Sequence, residues 1–382
     1  MSQLKTNAIR HTSATSDAIT LASDGTATAK LTNTQPGSKN IIINGSQMID
    51  QRNSGSSVTM SSSATFITDR FKCWEDTDGG LTAQQISDAP AGFKRSLKFT
   101  VTSADSSIGA AQYAMLRYPI EGYDMEDQNW GTSSAGTLTL SFWVKCSVTG
   151  TFGGGFVNSS DDRSYPFTYT VSSADTWEKK TVTVAGDQTG TWNAGNSTCC
   201  NIHWSLGIGS NSQGTAGQWQ AGNKYTASGE TALIANNGAT WQITGIQFER
   251  GTRATEFEHR SYADELARCQ RYFWMVADGS LYTTKTIGVG FVFSSSSVKV
   301  AVMYPTTMRT EPALYQVTAT DAYQVLQPGP TFDYPDEIGS FAGRINMGEF
   351  ELNDDVSGLT AGQACMVRGN ASGMRLGLNA EL

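Results

Sequence analysis

Apolar and polar residues alternate with a period of two along most of the chain, the mark of strands buried on one face. The clearest case is "GTLTLSFWVKCSV" (136–148), where Leu138, Leu140, Phe142, Val144 and Cys146 share one side. Thr139, Ser141, Trp143 and Lys145 share the other. "DRFKCWE" (69–75), "RSLKFTVTS" (95–103), "AQYAMLRYPIEG" (111–122), "TWEKKTVTVAG" (176–186), "CNIHWSLGIG" (200–209) and "ATWQITGIQFERG" (239–251) also read as strands, with Gly/Ser/Asn loops between them. Ile202, Trp204, Leu206 and Ile208 fall on one face, which predicts Trp204 in the core. "NIIINGSQMIDQRNSG" (40–55) opens the series, with Ile41, Ile42 and Ile43 as a buried strand and Asn44-Gly45 as its turn. Antiparallel strands in series without a helix predict a jelly-roll β-sandwich over 40–260.

Residues 1–39 are polar and thinly apolar. "DAITLASDGTATAKL" predicts two short strands around an Asp24-Gly25 turn. So few large apolar side chains cannot hold a hairpin alone, so this segment is expected to be an arm that pairs with another chain or a docking surface. At the other end of the sandwich Gly251 breaks the last strand, and "TRATEFEHRS" reads as an extended strap pinned by Phe257. Tyr262, Leu266, Cys269, Tyr272 and Phe273 then recur near helical spacing, which predicts a linking helix over 261–276. Ser261 is its expected N-cap, with Asp264 completing a capping-box-like start. Leu266 and Phe273 are expected at a contact between domains or between chains. Residues 277–382 read as a smaller C-terminal β-domain, with "TIGVGFVF", "SVKVAVMYP" and "PALYQVTAT" as strands and one or two more near the end. No internal repeat argues for a β-helix or propeller.

Composition supports the mainly β reading: charged residues are 16%, glycines number 39, and aromatics make up 10%. The net charge is −8 and there is no Lys/Arg run, which disfavours nucleic acid as a partner. No apolar run approaches the roughly 20 residues of a membrane-spanning helix, so membrane insertion is not expected. The opening "MSQLKTNAIRHTSATS" has no apolar core of a signal peptide, which predicts synthesis in a cytoplasm. Cys73, Cys146, Cys199, Cys200, Cys269 and Cys365 form no CxxC pair, so buried thiols rather than a zinc site are expected.

Catalytic chemistry finds no pattern. His11 lies in the arm, His203 on a strand beside Trp204, and His259 between Glu258 and Arg260, where it reads as a salt-bridged structural residue. None accompanies a nucleophile elbow. "YDMEDQ" (Asp124, Glu126, Asp127) and "SSDDRS" (Asp161, Asp162) could supply paired carboxylates or oxygen ligands for a structural calcium ion, but neither has an EF-hand spacing. Sugar recognition is better supported, because pyranose C–H faces stack on aromatic rings while polar side chains bind the hydroxyls. Trp130, Trp192, Trp219 and Tyr225 lie in polar Gly-rich loops and are the candidate carbohydrate-binding residues, the alternative being rings folded back as plugs. Trp143 and Trp177 lie across the pleat from the apolar rows of their strands.

The runs "TLTLSFWVKCSVTGTF", "SYPFTYTVSSADTWEKKTVTVAGDQTGTW" and "WQITGIQFERGTRATEFEHRSYADELARCQRYF" resemble phage tail-fibre and related virion appendage proteins of the marine and cyanobacterial phage type. The resemblance covers about residues 40–315. It implies a middle domain similar to jelly-roll carbohydrate-binding modules. It further implies a multimeric virion protein, expected to be a homotrimer, without enzymatic activity. The arm would dock on other virion proteins and the body would attach to a host surface glycan. A head- or neck-mounted structural fibre without primary receptor binding is the alternative.

Overall fold

The computed structural model describes residues 6–10, 12, 19–21, 23, 27–29, 39–278, 286–329, 332–353 and 355–382. The fold is mainly β. Two antiparallel sheets face each other across residues 58–250. One has the order Glu178–Val184, Leu138–Cys146, Thr240–Arg250, Ser96–Ser103, Gly80–Ile86, Val58–Thr59. The other runs Gln220–Ala221, Arg163–Val171, Gly150–Asn158, Thr198–Ile208, Tyr113–Glu121, Phe71–Glu75, Thr65–Thr68.

The pleat explains the core between them. Leu138, Leu140, Phe142, Val144 and Cys146 are all at 0% exposure, and they meet Phe71, Leu116, Phe156, Ile202 and Trp204 from the opposite sheet in one apolar cluster. All six cysteines are buried and unpaired. The Ile41–Ile43 segment differs from expectation. It forms no strand, but the Ile41 amide donates to Phe248 and the Ile246 amide donates to Gly45. It thereby covers the part of the last sandwich strand that Ser96–Ser103 leaves unpaired, since that strand pairs only with residues 240–243.

The arm contains three short paired strands, Ala8–Ile9, Ile19–Leu21 and Ala27–Ala29. Leu21 stands opposite Ala27, and the Asp24-Gly25 turn lies outside the described residues. Ile9 and Leu21 remain exposed.

The linking helix is shorter than the 261–276 pattern predicts. It spans Tyr262–Gln270, and Phe273–Asp278 is a strand. Ser261 caps the helix, accepting the Asp264 amide at 3.1 Å. The helix stops because "FWMVA" is aromatic and β-branched, favouring a pleated surface, and finds a partner strand in Arg375–Asn379. Three strands, Phe273–Asp278, Arg375–Asn379 and Ala313–Val317, make one C-terminal sheet. A seven-stranded sheet holds the others, from Phe332–Asp333 at one edge to Ser340–Gly343 at the other. Val292, Val300, Tyr323, Val325, Phe350 and Val367 are fully buried in its core.

A mixed apolar and charged junction joins the helix and C-terminal strands to the sandwich. Leu266, half-buried, packs with Ile43, Ile49, Cys269 and Tyr272. Phe273 is fully buried, with the Arg52 guanidinium 3.6 Å over its ring and Tyr315 at 5.4 Å. Buried Arg70 pairs with Glu381, and Arg271 pairs with Glu121 at 2.5 Å.

Candidate functional site

The loop aromatics fall into two groups. Trp130, Trp192 and Trp219 interlock at one end of the sandwich, with ring centroids 4.8, 5.4 and 5.3 Å apart and near-perpendicular planes. Edge-to-face packing of this kind is a favourable aromatic geometry. Each indole N–H donates to a main-chain oxygen: Trp130 to Gly136 at 2.8 Å, Trp192 to Thr189 at 3.0 Å, Trp219 to Ala185 at 2.7 Å. Arg163 anchors the adjoining loop through two bonds to Asp187, at 2.7 and 2.8 Å. Trp130 is buried in the sandwich core, which corrects its reading as an exposed stacking ring. Trp192 and Trp219 are half-buried against it. The three rings close the sandwich end as a plug, because the hydrophobic gain of mutual burial exceeds what scattered loops would keep in water.

Tyr225 belongs elsewhere. Its ring lies 4.7 Å from His203 and 6.2 Å from Tyr113, on the outer face of the seven-stranded sheet. The register of that sheet places Lys72 opposite Arg117, Arg117 opposite His203, and His203 opposite Gly155. One row across four strands thus carries three basic side chains on the face opposite the core. The next row holds Trp74 opposite Met115. Arg117 lies 4.9 Å over the Trp74 ring and the Lys72 ammonium 5.2 Å over it.

Two glycines explain why the 224–230 segment can cross this face. A Cβ on Gly155 would meet the Lys224 and Tyr225 oxygens at 2.8 and 2.9 Å, and one on Gly153 would meet the Thr226 hydroxyl at 2.0 Å. Only bare backbone admits the crossing. Glu230 ties the segment down, accepting hydrogen bonds from the Ser205 and Thr226 hydroxyls. Burial raises its carboxyl to about 7, against the opposing effect of those bonds.

The electrostatics of the row follow from partial burial. Desolvation, reinforced by the Arg117 charge, lowers Lys72 to about 8. Desolvation also lowers Arg117, while Tyr225, Asp161 and Tyr113 act the other way. His203 is fully buried, and burial first, then Arg117, holds it well below the ordinary imidazole range, so it is neutral at pH 7. The Gly155 main chain is its polar neighbour, yet neither ring nitrogen has a partner in hydrogen-bonding geometry. Lys72 donates to the Leu382 main-chain oxygen at 2.6 Å. Arg117 makes no hydrogen bond or ion pair among the described residues, and its Nε is buried and unsatisfied. Of the Arg117 nitrogens only Nε is enclosed, so the outer nitrogens of this half-buried guanidinium are the ones a ligand can reach, whereas both His203 nitrogens are shut in.

The remaining candidates have other tasks. Asp127 pairs with Arg250 at 3.2 Å, Glu126 accepts the Gly195 amide, and Asp162 accepts from Asn158. No cluster of three or more His, Cys, Asp or Glu side chains is placed to hold a metal ion among the described residues. His259 is not in a salt bridge as its neighbours suggest: Arg260 pairs with Glu258, and the imidazole packs on Phe93 and Phe257 at 5.4 and 4.9 Å. Those rings line a small cavity of about 200 Å³ under the strap. Trp143 is half-buried on the outer face of the other sheet, and Trp177 donates to Asp88 at 3.4 Å.

No family model and no curated protein matches the sequence. Several solved structures are similar over about half the chain. The enzymatically active domain of bacteriophage CBA120 tailspike protein 4 is 12% identical, covering 56% of this chain and 21% of its own, with a TM-score of 0.30. A family 11 carbohydrate-binding module of a Clostridium thermocellum cellulosomal cellulase is 10% identical, covering 53% of this chain and 100% of its own, with a TM-score of 0.27. The module TmCBM61, solved with β-1,4-galactotriose, is 8% identical, covering 56% and 100%, with a TM-score of 0.23. The match spans only about a fifth of the tailspike chain. Likeness at these scores carries nothing about ligand or role.

Proposed function

We propose that this protein is a saccharide-binding attachment protein of a phage virion appendage, and that it binds through the outer face of the sandwich's seven-stranded sheet. The observation that carries the reading is the Lys72–Arg117–His203 row flanked by half-buried Trp74, Tyr113 and Tyr225. Trp74 and the tyrosines offer apolar faces for pyranose C–H groups, and the outer nitrogens of half-buried Arg117 suit ring oxygens and hydroxyls. The attachment role rests on the resemblance of the strand and strap motifs to phage fibre proteins. In this reading the arm fixes the chain to the particle and several chains act together. Stacking contributes on the order of 1 kcal/mol per ring, so one site is weak and multivalency supplies avidity.

The test is retention of the full chain on immobilised host surface polysaccharide. Trp74→Ala should abolish most retention while leaving the melting temperature close to that of the parent, since Trp74 lies outside the apolar core. Unchanged retention by folded Trp74→Ala would sink the sheet-face assignment.

A further inference from the structure

The sheet face has a charge pattern that a purely neutral sugar does not need. The chain as a whole is acidic, with a net charge of −8, yet this row sets the cations Lys72 and Arg117 side by side, next to the neutral, buried His203. Arg52, Arg70, Arg163, Arg260 and Arg271 are all paired with carboxylates. Arg117 is not. Its half-buried guanidinium stacks on Trp74, and its Nε is held out of water without an acceptor. The outer nitrogens, which are not enclosed, have no protein acceptor, and an anion placed there would compensate the half-buried charge. Lys72 stands opposite it on the neighbouring strand, close enough to add to the positive potential. The carboxylate that most affects Arg117 is Asp161, an exposed side chain that makes no ion pair with it. Tyr113 and Tyr225 face the same guanidinium, and burial pushes the Tyr113 phenol up.

From this arrangement we infer that the site selects an acidic saccharide, one whose sugar carries a carboxylate that the Arg117 guanidinium receives while the ring lies against Trp74. The inference rests on the sheet face being the saccharide site. A planar guanidinium receives a planar carboxylate through two parallel N–H bonds. Its position 4.9 Å over the Trp74 ring sets the guanidinium beside the surface on which the sugar would lie.

Binding of the full chain is measured by calorimetry to three probes: a galacturonic acid hexamer, the same hexamer after reduction of its carboxyls, and a sulfated galactose hexamer. The acidic hexamer should bind roughly tenfold or more tighter than its reduced form, the usual strength of a charge-assisted pair. Arg117→Gln should remove that preference, so that the acidic and reduced hexamers bind alike to the variant, and Arg117→Lys should restore only part of it. Equal binding of acidic and reduced hexamers by the parent would overturn the acidic selectivity while leaving the sheet-face site standing. Tighter binding of the sulfated hexamer would overturn the carboxylate assignment. A face that binds none of the three, with Trp74→Ala also retained normally on host polysaccharide, would remove the site and this inference together. Tryptophan emission of each variant reports whether it is folded, and Arg117→Lys preserves the stacked cation should Arg117→Gln fail to fold.

Discussion

Glu230 provides a quantitative check on how the 224–230 segment is held against the sheet. Part of its side chain reaches the surface, but the carboxylate is enclosed by Ser205, Thr226 and the backbone at Gly153. Its pKa rises from 4.5 to about 7. Below pH 4.5 the group is protonated in both folded and unfolded chains and contributes no pH dependence. Between 4.5 and 7 the folded protein keeps a proton that the unfolded chain has lost, so stability falls as pH rises through that window. At about 1.4 kcal/mol per pH unit, the loss amounts to no more than about 3 kcal/mol by pH 8. Glu230→Gln removes the titration. Other buried acids, such as Asp69, raised to about 6 by burial, titrate in both proteins and cancel in the comparison. Urea unfolding followed by tryptophan emission at pH 5 and pH 8 should show the variant gaining on the parent by up to about 3 kcal/mol at the higher pH. A stability difference that is the same at both pH values would refute the burial of Glu230, and with it the anchoring of the segment that carries Tyr225.

Trp130→Ala should cost about 3–5 kcal/mol in stability, because it opens a cavity beneath two other rings and Phe248; a melting temperature like the parent's would show that the plug is not part of the core. Gly155→Ala should push the Lys224–Tyr225 backbone off the sheet, weakening saccharide binding while the sandwich stays folded; unchanged affinity would mean that the crossing does not shape the site. Leu266→Asp places a charge in the cluster of Ile43, Ile49, Cys269 and Tyr272, at a cost of about 2 kcal/mol or more, read as a lower melting temperature. On the proposed assembly through the arm, the full chain should have the mass of a trimer by light scattering and a chain lacking residues 1–39 that of a folded monomer; a monomeric full chain would refute the assembly, and an unchanged trimeric mass would assign it to another surface.

Local patterning determined much of the architecture. A period of two requires no knowledge of neighbours, so the core row of Leu138–Cys146, the burial of Trp204 and the Ser261 cap were all legible. Local reading failed where a residue's role depends on what crosses it. The Gly150–Asn158 strand, with three glycines in succession, and the Arg163–Val171 strand, with Pro166 inside it, resemble loops. Gly153 and Gly155 are needed there because the 224–230 chain crosses that part of the sheet. Phe273 has helical spacing from Leu266 and Tyr262, yet pairing with Arg375–Asn379, about a hundred residues away, makes it a strand residue. The loop tryptophans were visible as a class, but only the fold decided that 130, 192 and 219 meet one another and that Tyr225 meets His203 instead. Lys72 and Trp74 alternate with Phe71 and Cys73, which placed them off the core, and nothing local adds Arg117 or His203 to them. Those four side chains come from three strands spread over some 130 residues, and a shift of one residue in either pairing would turn part of the row into the core. The alternation of each strand is a property of its own sequence, whereas a binding face is a property of register, which exists only once strands distant in the chain have paired.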